Sequence, residues 1–135
     1  MKPAELVAEL HRRQGEMYAG GPVDAVVELL AEDIVWHVPG HSPIAGDHRG
    51  VPQVIEYFER RRRLASATMR MHPGELIADG EAVVQLVDGS AELGGKTVEW
   101  RTAGVYRVEE QVREVWLVPL DLDLFDRIWS AGREL

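Results

Sequence analysis

The sequence predicts an α+β fold: N-terminal helices packed on one face of a strongly curved, mainly antiparallel sheet. Two observations predict it. Up to Leu64, apolar residues recur mostly at helical spacing, and from Thr68 onward they alternate in strand fashion between short turns. No helical stretch separates one late strand from the next, so successive strands pair as hairpins rather than through crossovers.

The elements follow in order. Leu6, Leu10 and Met17 share a helical face, which Arg13 and Gln14 interrupt with polar groups. Gly20-Gly21-Pro22 closes this helix, and Val23, Val26, Val27 and Leu30 repeat at the spacing of a second. Ile34–Val38 reads as a short strand that Pro39-Gly40 stops, with a Gly/Pro-rich loop beyond. A third helix begins near Pro52 and turns Val51, Val54, Ile55 and Phe58 inward. Four strands then follow: Thr68–Ala78, broken at Pro73-Gly74 as for a bulge or an edge; Ala82–Ala91; Lys96–Val108 after the hairpin signal Gly94-Gly95; and Gln111–Val118. A short helix, Leu122–Trp129, ends the chain. A single domain over 1–135 accounts for this length.

The bulk numbers exclude several functions. The chain has 135 residues, a formal net charge of −8 and no cysteine. An acidic surface suits neither nucleic acid nor an anionic membrane, and the lack of thiols removes disulfides and thiolate chemistry. No apolar run approaches the roughly 20 residues needed to cross a bilayer. The N-terminus does not read as a signal peptide, so a cytoplasmic protein is expected.

Chemistry concentrates around Trp36-His37-Val38-Pro39-Gly40. Imidazole is the one side chain that titrates near neutrality without perturbation, and His37 stands beside an indole at a strand end. On the longest strand, Val98, Trp100, Thr102, Gly104, Tyr106 and Val108 share a face. Two aromatics, a hydroxyl and a missing side chain in one row suggest a cavity between sheet and helices.

Two stretches, AEDIVWHVPGHSPIAGDHRG (Ala31–Gly50) and EVWLVPLDLDLFDRIW (Glu114–Trp129), resemble SnoaL-like members of the NTF2-like superfamily, which includes ketosteroid isomerase, limonene epoxide hydrolase and polyketide cyclases. The resemblance implies a cone-shaped fold around a pocket and a homodimer through the outer sheet face. Aligned on Val-Pro-Gly, the steroid enzyme's base falls at His37; aligned on Ala-Glu-Asp, it falls at Val38. The oxyanion tyrosine falls at Arg13 or Gln14, and the oxyanion acid at Gly104, so that enzyme's proton donors are missing. The water-activating carboxylate of the epoxide hydrolase falls on Val118. The acid nearest to that used by SnoaL-type cyclases is Asp121.

The candidate site is therefore His37 and Asp121 as catalytic groups, with Gln14, Trp36, Phe58, Trp100, Thr102, Tyr106 and Leu117 as lining. Asp121 suits a helix N-cap equally well. His37, His41 and His48 do not have metal-ligand spacing, and no cofactor is expected. Arg60–Arg63 reads as an exposed, ion-paired helix face, with Glu56 and Glu59 each four residues before an arginine. Trp116 and Trp129 read as packing residues, and Tyr18 as partly exposed. Two functions remain: a cofactor-independent isomerase, cyclase, dehydratase or hydrolase acting on an apolar or polycyclic substrate, with His37 as general base, or a non-catalytic binding or interaction module. The expected partners are a small apolar molecule and a second copy of the chain.

Overall fold

A computed structural model describes residues 1–130. The elements are α1 (Pro3–Tyr18), α2 (Asp24–Val27), β1 (Leu30–Val38), β2 (Gly46–Arg49), α3 (Gly50–Leu64), β3 (Arg70–Asp79), β4 (Ala82–Leu93), β5 (Lys96–Glu109), β6 (Gln111–Pro119) and α4 (Leu122–Ser130). The sheet has six strands in the order β2-β1-β6-β5-β4-β3. Every neighbouring pair is antiparallel except β1 with β6, which is parallel. This is the predicted α+β cone.

Local chemistry explains the boundaries. Pro3 opens α1, and the Glu5 carboxylate accepts the Lys2 N–H at 3.1 Å. At the other end, the Arg62 guanidinium donates to the carbonyls of Met17 and Gly21, joining α3 to the orphan end of α1. Gly94 and Gly95 both have positive φ, as a two-residue hairpin requires, and Leu93 pairs with Lys96 across them. Along β3, the register shifts between Pro73 and Leu76, and β3 is an edge strand, so Pro73-Gly74 marks both a bulge and an edge.

Two expectations change. The second helix is a single turn, because Leu30 leaves the helical repeat to pair with Val112 and starts β1 four residues before Ile34. The Gly/Pro loop after Gly40 contains a strand partner for β1: the short edge strand β2, whose residues are mostly exposed and so show no alternation.

One core lies between the helices and the concave sheet face. It joins Leu6, Leu10 and Met17 of α1, Val54 and Phe58 of α3, and Phe125 and Trp129 of α4 to the inward residues of the strands. Among the described residues, no helix is long and apolar enough to cross a membrane.

Candidate functional site

Strand alternation divides the candidates between two faces. On β1, Trp36 points into the core, and its neighbour His37 points outward. His37 pairs across the sheet with Asp47 and Trp116, and Trp116 with Val105. The imidazole binds Asp47 through Nδ1 at 2.7 Å and Glu114 through Nε2 at 2.6 Å, and it stacks on Trp116 with ring centroids 5.5 Å apart. Its partial burial alone would lower its pKa. The two carboxylates outweigh that and hold it above the usual histidine value. The placement of His37 in the pocket is thus corrected. It lies in an outer groove of about 430 Å³ with Trp116, Val118 and Leu122. Trp116, read as packing, is 36% exposed on the same face.

The inner face holds a different histidine. His11 of α1 is only 3% exposed. Its Nδ1 lies 2.7 Å from Gln85 Oε1 on β4, and its Nε2 lies 2.6 Å from the Tyr106 hydroxyl on β5. Gln85 donates its amide to the Gly74 carbonyl at 3.0 Å, which orients Oε1 toward His11. The amide carbonyl oxygen of Gln85 can only accept, so Nδ1 carries the imidazole proton, and Nε2 accepts from the Tyr106 O–H. The Pro73-Gly74 bulge therefore fixes, through Gln85, the tautomer of His11. Burial lowers the His11 pKa to about 4, so the ring is neutral at pH 7; the Gln85 bond opposes this more weakly. Burial also pushes the Tyr106 phenol up.

Gly104 makes this chain possible. A Cβ at Gly104 would stand 2.3 Å from the Tyr106 hydroxyl oxygen, so the missing side chain is the space over which Tyr106 leans toward His11. Gly89 does the same for Trp100, whose indole lies 2.3 Å from where a Cβ would be.

Beside the Tyr106–His11 pair lies Arg61, which is 5% exposed. Val54, Tyr57, Phe58 and Arg61 follow one another at i, i+3, i+4 and i+7, so Arg61 falls on the buried stripe of α3. The exposed reading of the four arginines holds for Arg60, which pairs with Glu56 at 2.8 Å, and is corrected for Arg61. Its guanidinium lies 4.6 Å from the Trp129 ring centroid and between 5.6 and 5.7 Å from those of Tyr18, Trp100 and Phe125. Tyr18 is wholly buried, not partly exposed.

His11, Gln14, Trp36, Arg61, Thr102 and Tyr106 line one cavity, together with Trp100 and Leu117. Of the expected lining, only Phe58 lies outside it, packed edge-on against Trp36 with centroids 5.1 Å apart. The cavity is small, about 20 Å³, close to the space of one water molecule. An open groove of about 530 Å³ lies beyond it, and Trp100 and Gly89 line both. Trp100 is therefore the wall between the groove and the interior. Asp121 lines that outer groove and caps α4, its Oδ1 accepting the Leu124 N–H at 3.0 Å. His11, Arg61 and Gln85 were missed in the sequence. Arg61 had a readable signal, the helical stripe, and Gln85 alternates with Val83 and Val87 on the inward row.

The arrangement suits proton movement in an apolar enclosure. Among the described residues, no group of three or more His, Asp or Glu side chains is arranged to hold a metal ion.

The profile of the SnoaL-like domain matches residues 11–114. Among solved structures, Bal32a from a soil-derived mobile gene cassette is 28% identical, with a TM-score of 0.83 over 95% of this chain and 99% of the other. An NTF2-like protein of unknown function from Burkholderia pseudomallei is 22% identical, with a TM-score of 0.80 over 97% and 100%. SalBIII, described as an epoxide hydrolase/cyclase-like enzyme in pyran ring formation in the polyether salinomycin, is 22% identical, with a TM-score of 0.72 over 87% and 89%. No curated protein matches the chain. The chain belongs to the SnoaL-like family, on an NTF2-like fold.

Proposed function

We propose that the chain is a small-molecule enzyme of the isomerase, cyclase, dehydratase or hydrolase type, which moves a proton on an apolar or polycyclic substrate inside the cone. The observation that carries this reading is the buried chain Tyr106–His11–Gln85–Gly74. A substrate proton passes to the Tyr106 oxygen as the tyrosine's own proton passes to His11 Nε2. With a His11 pKa of about 4, the imidazolium so formed holds its proton weakly and returns it to the substrate. A take-and-return cycle is what an isomerase or cyclase needs. Negative charge developing on the substrate is stabilised by the Gln14 amide, which lines the cavity. His37 is the proposed base no longer; its two carboxylate partners suit a role in holding β2, β1 and β6 together.

The wash-in of deuterium from heavy water tests this without knowledge of the natural product. A cyclic aromatic ketone such as 2-tetralone reports proton abstraction next to a carbonyl. Acceleration by the protein that falls on the order of a hundredfold in Tyr106→Phe and persists in His37→Gln is the expected result. Equal rates in the wild type and Tyr106→Phe would remove the proposal.

A second reading, a non-catalytic binding or interaction module, draws on the smallness of the cavity. In that case the Tyr106–His11 chain is a satisfied core network, and no ketone exchanges faster than in buffer. Either reading accommodates a homodimer. The outer face exposes Leu86, Trp116 and Val118 along adjacent strands, with Ala103 joining Leu86 to Val118 through the cross-strand register. We assign this apolar surface to a second copy of the chain.

A further inference from the structure

We propose that Arg61 is the anchor for an anionic ligand, so that the molecule taken into the cone is a flat apolar compound bearing a carboxylate. This rests on the interior site proposed above and names its ligand class.

A guanidinium stays charged at any pH a protein survives, and taking it out of water costs several kcal/mol unless partners replace the solvent. Several arginines nearer the surface have such partners: Arg12 and Arg13 reach Glu9, and Arg101 reaches Asp88. Arg61, the buried one, has no carboxylate within 4.0 Å among the described residues. Its hydrogen-bond partner is the neutral Tyr57 hydroxyl at 3.0 Å, and its Nε is buried with no partner. The rings of Tyr18, Trp100, Phe125 and Trp129 interact with the cation through their π faces. The ring faces offer no lone pair to its N–H groups, and the buried Tyr18 hydroxyl beside it is, like that of Tyr57, a neutral oxygen. The built site thus supplies charge and donors and lacks an anionic acceptor.

The neighbours select the kind of anion. A planar carboxylate meets the planar fork of a guanidinium with two parallel hydrogen bonds. A phosphate would need more donors, and Arg61 is the one cation lining the cavity, beside the amide of Gln14 and the hydroxyl of Thr102. The other walls are aromatic or apolar, so the body of the ligand is apolar. Trp100 stands over Gly89 between this cavity and the open groove, so displacement of its indole joins the two spaces. With its carboxylate on Arg61, the ligand lies with its far end toward the Tyr106 hydroxyl.

The test compares 2-naphthoate with 2-naphthamide, which has nearly the same shape and no charge. Binding to the full chain is measured by calorimetry and by quenching of tryptophan fluorescence. The wild type is expected to prefer the naphthoate by about tenfold or more, the scale of a charge-assisted pair. Arg61→Met is expected to remain folded, since an apolar group replaces a buried unpaired charge, and to lose the preference while still binding the amide. Arg61→Lys keeps the charge without the fork and should fall between the two. Equal binding of both compounds by the wild type, or a preference that survives in Arg61→Met, overturns the anion assignment alone. Wild-type protein that binds neither compound at millimolar concentration overturns the interior site and the anion assignment with it.

Discussion

His11 should make the protein acid-sensitive by a calculable amount. In the unfolded chain its pKa is near the ordinary histidine value of 6.5, and in the fold burial lowers it to about 4. Between these values the unfolded chain binds the extra proton and the native state does not, so stability falls as pH falls through this window. Above pH 6.5 the contribution is fully present, and below about pH 4 no more is lost to this group. Each pKa unit is worth about 1.4 kcal/mol, so the full loss is about 3 kcal/mol. That is a large share of the 5–15 kcal/mol typical of a domain. The perturbation is His11→Asn, which keeps a donor toward Gln85 and cannot titrate. It should cost about 1–3 kcal/mol at pH 7, because the Tyr106 hydroxyl loses its acceptor. Urea unfolding of both proteins from pH 7.5 to pH 4 is the assay. Carboxylate titration is common to both and cancels in their difference. The wild-type advantage should shrink by about 3 kcal/mol over that range and can reverse sign. A difference that stays constant with pH would show that His11 is not a buried neutral imidazole, and the tautomer argument would fall with it.

The other predictions concern packing, the outer face and assembly. Gly104→Ala places a methyl 2.3 Å from the Tyr106 hydroxyl oxygen, so the ring must shift; a loss of about 1–3 kcal/mol is expected by denaturant melt, with the His11 ring resonances moved in NMR spectra. His37 has its pKa raised in the fold, so its stabilisation is complete below pH 6.5 and is lost as pH rises through the raised value. The melting-temperature gap between wild type and His37→Gln should therefore be wider at pH 6 than at pH 9, and a wider gap at pH 9 would contradict the ion-pair reading. Trp116→Glu puts a charge in the centre of the proposed dimer face; sedimentation should show the wild type dimeric and the variant monomeric at tens of micromolar, and a monomeric wild type would remove that assignment.

Much of the fold could be read from the sequence because hairpin signals and alternation are local. Gly94-Gly95 gave its turn, since both residues have a positive φ that few others adopt, and Pro73-Gly74 its bulge, since proline has no N–H for the ladder. The edge strand β2 escaped because its exposed residues carry no apolar alternation, and α2 was read too long because the pairing of Leu30 with Val112 overrides a helical period. For the site, alternation puts His37 and Trp36 on opposite faces, and the burial of the Trp36 indole in the core decides which one faces inward. Gly104 announced a missing side chain, but not that Tyr106 would lean into the space. His11 stands beside the apolar residue Leu10, and nothing local tells that Gln85 and Tyr106, far along the chain, will complete its hydrogen bonds. Arg61 was hidden by composition: four arginines in a row read as one solvated face, although the helical period buries one of them.

The central claim is that the functional site is the inside of the cone and not the outer face around His37. A crystal structure of the protein soaked with 2-naphthoate tests it most directly. The ligand is expected between Arg61 and Tyr106, with its carboxylate on the guanidinium and the Trp100 indole displaced toward the open groove. A naphthoate bound beside His37 and Trp116, over an interior still closed by Trp100, would contradict it.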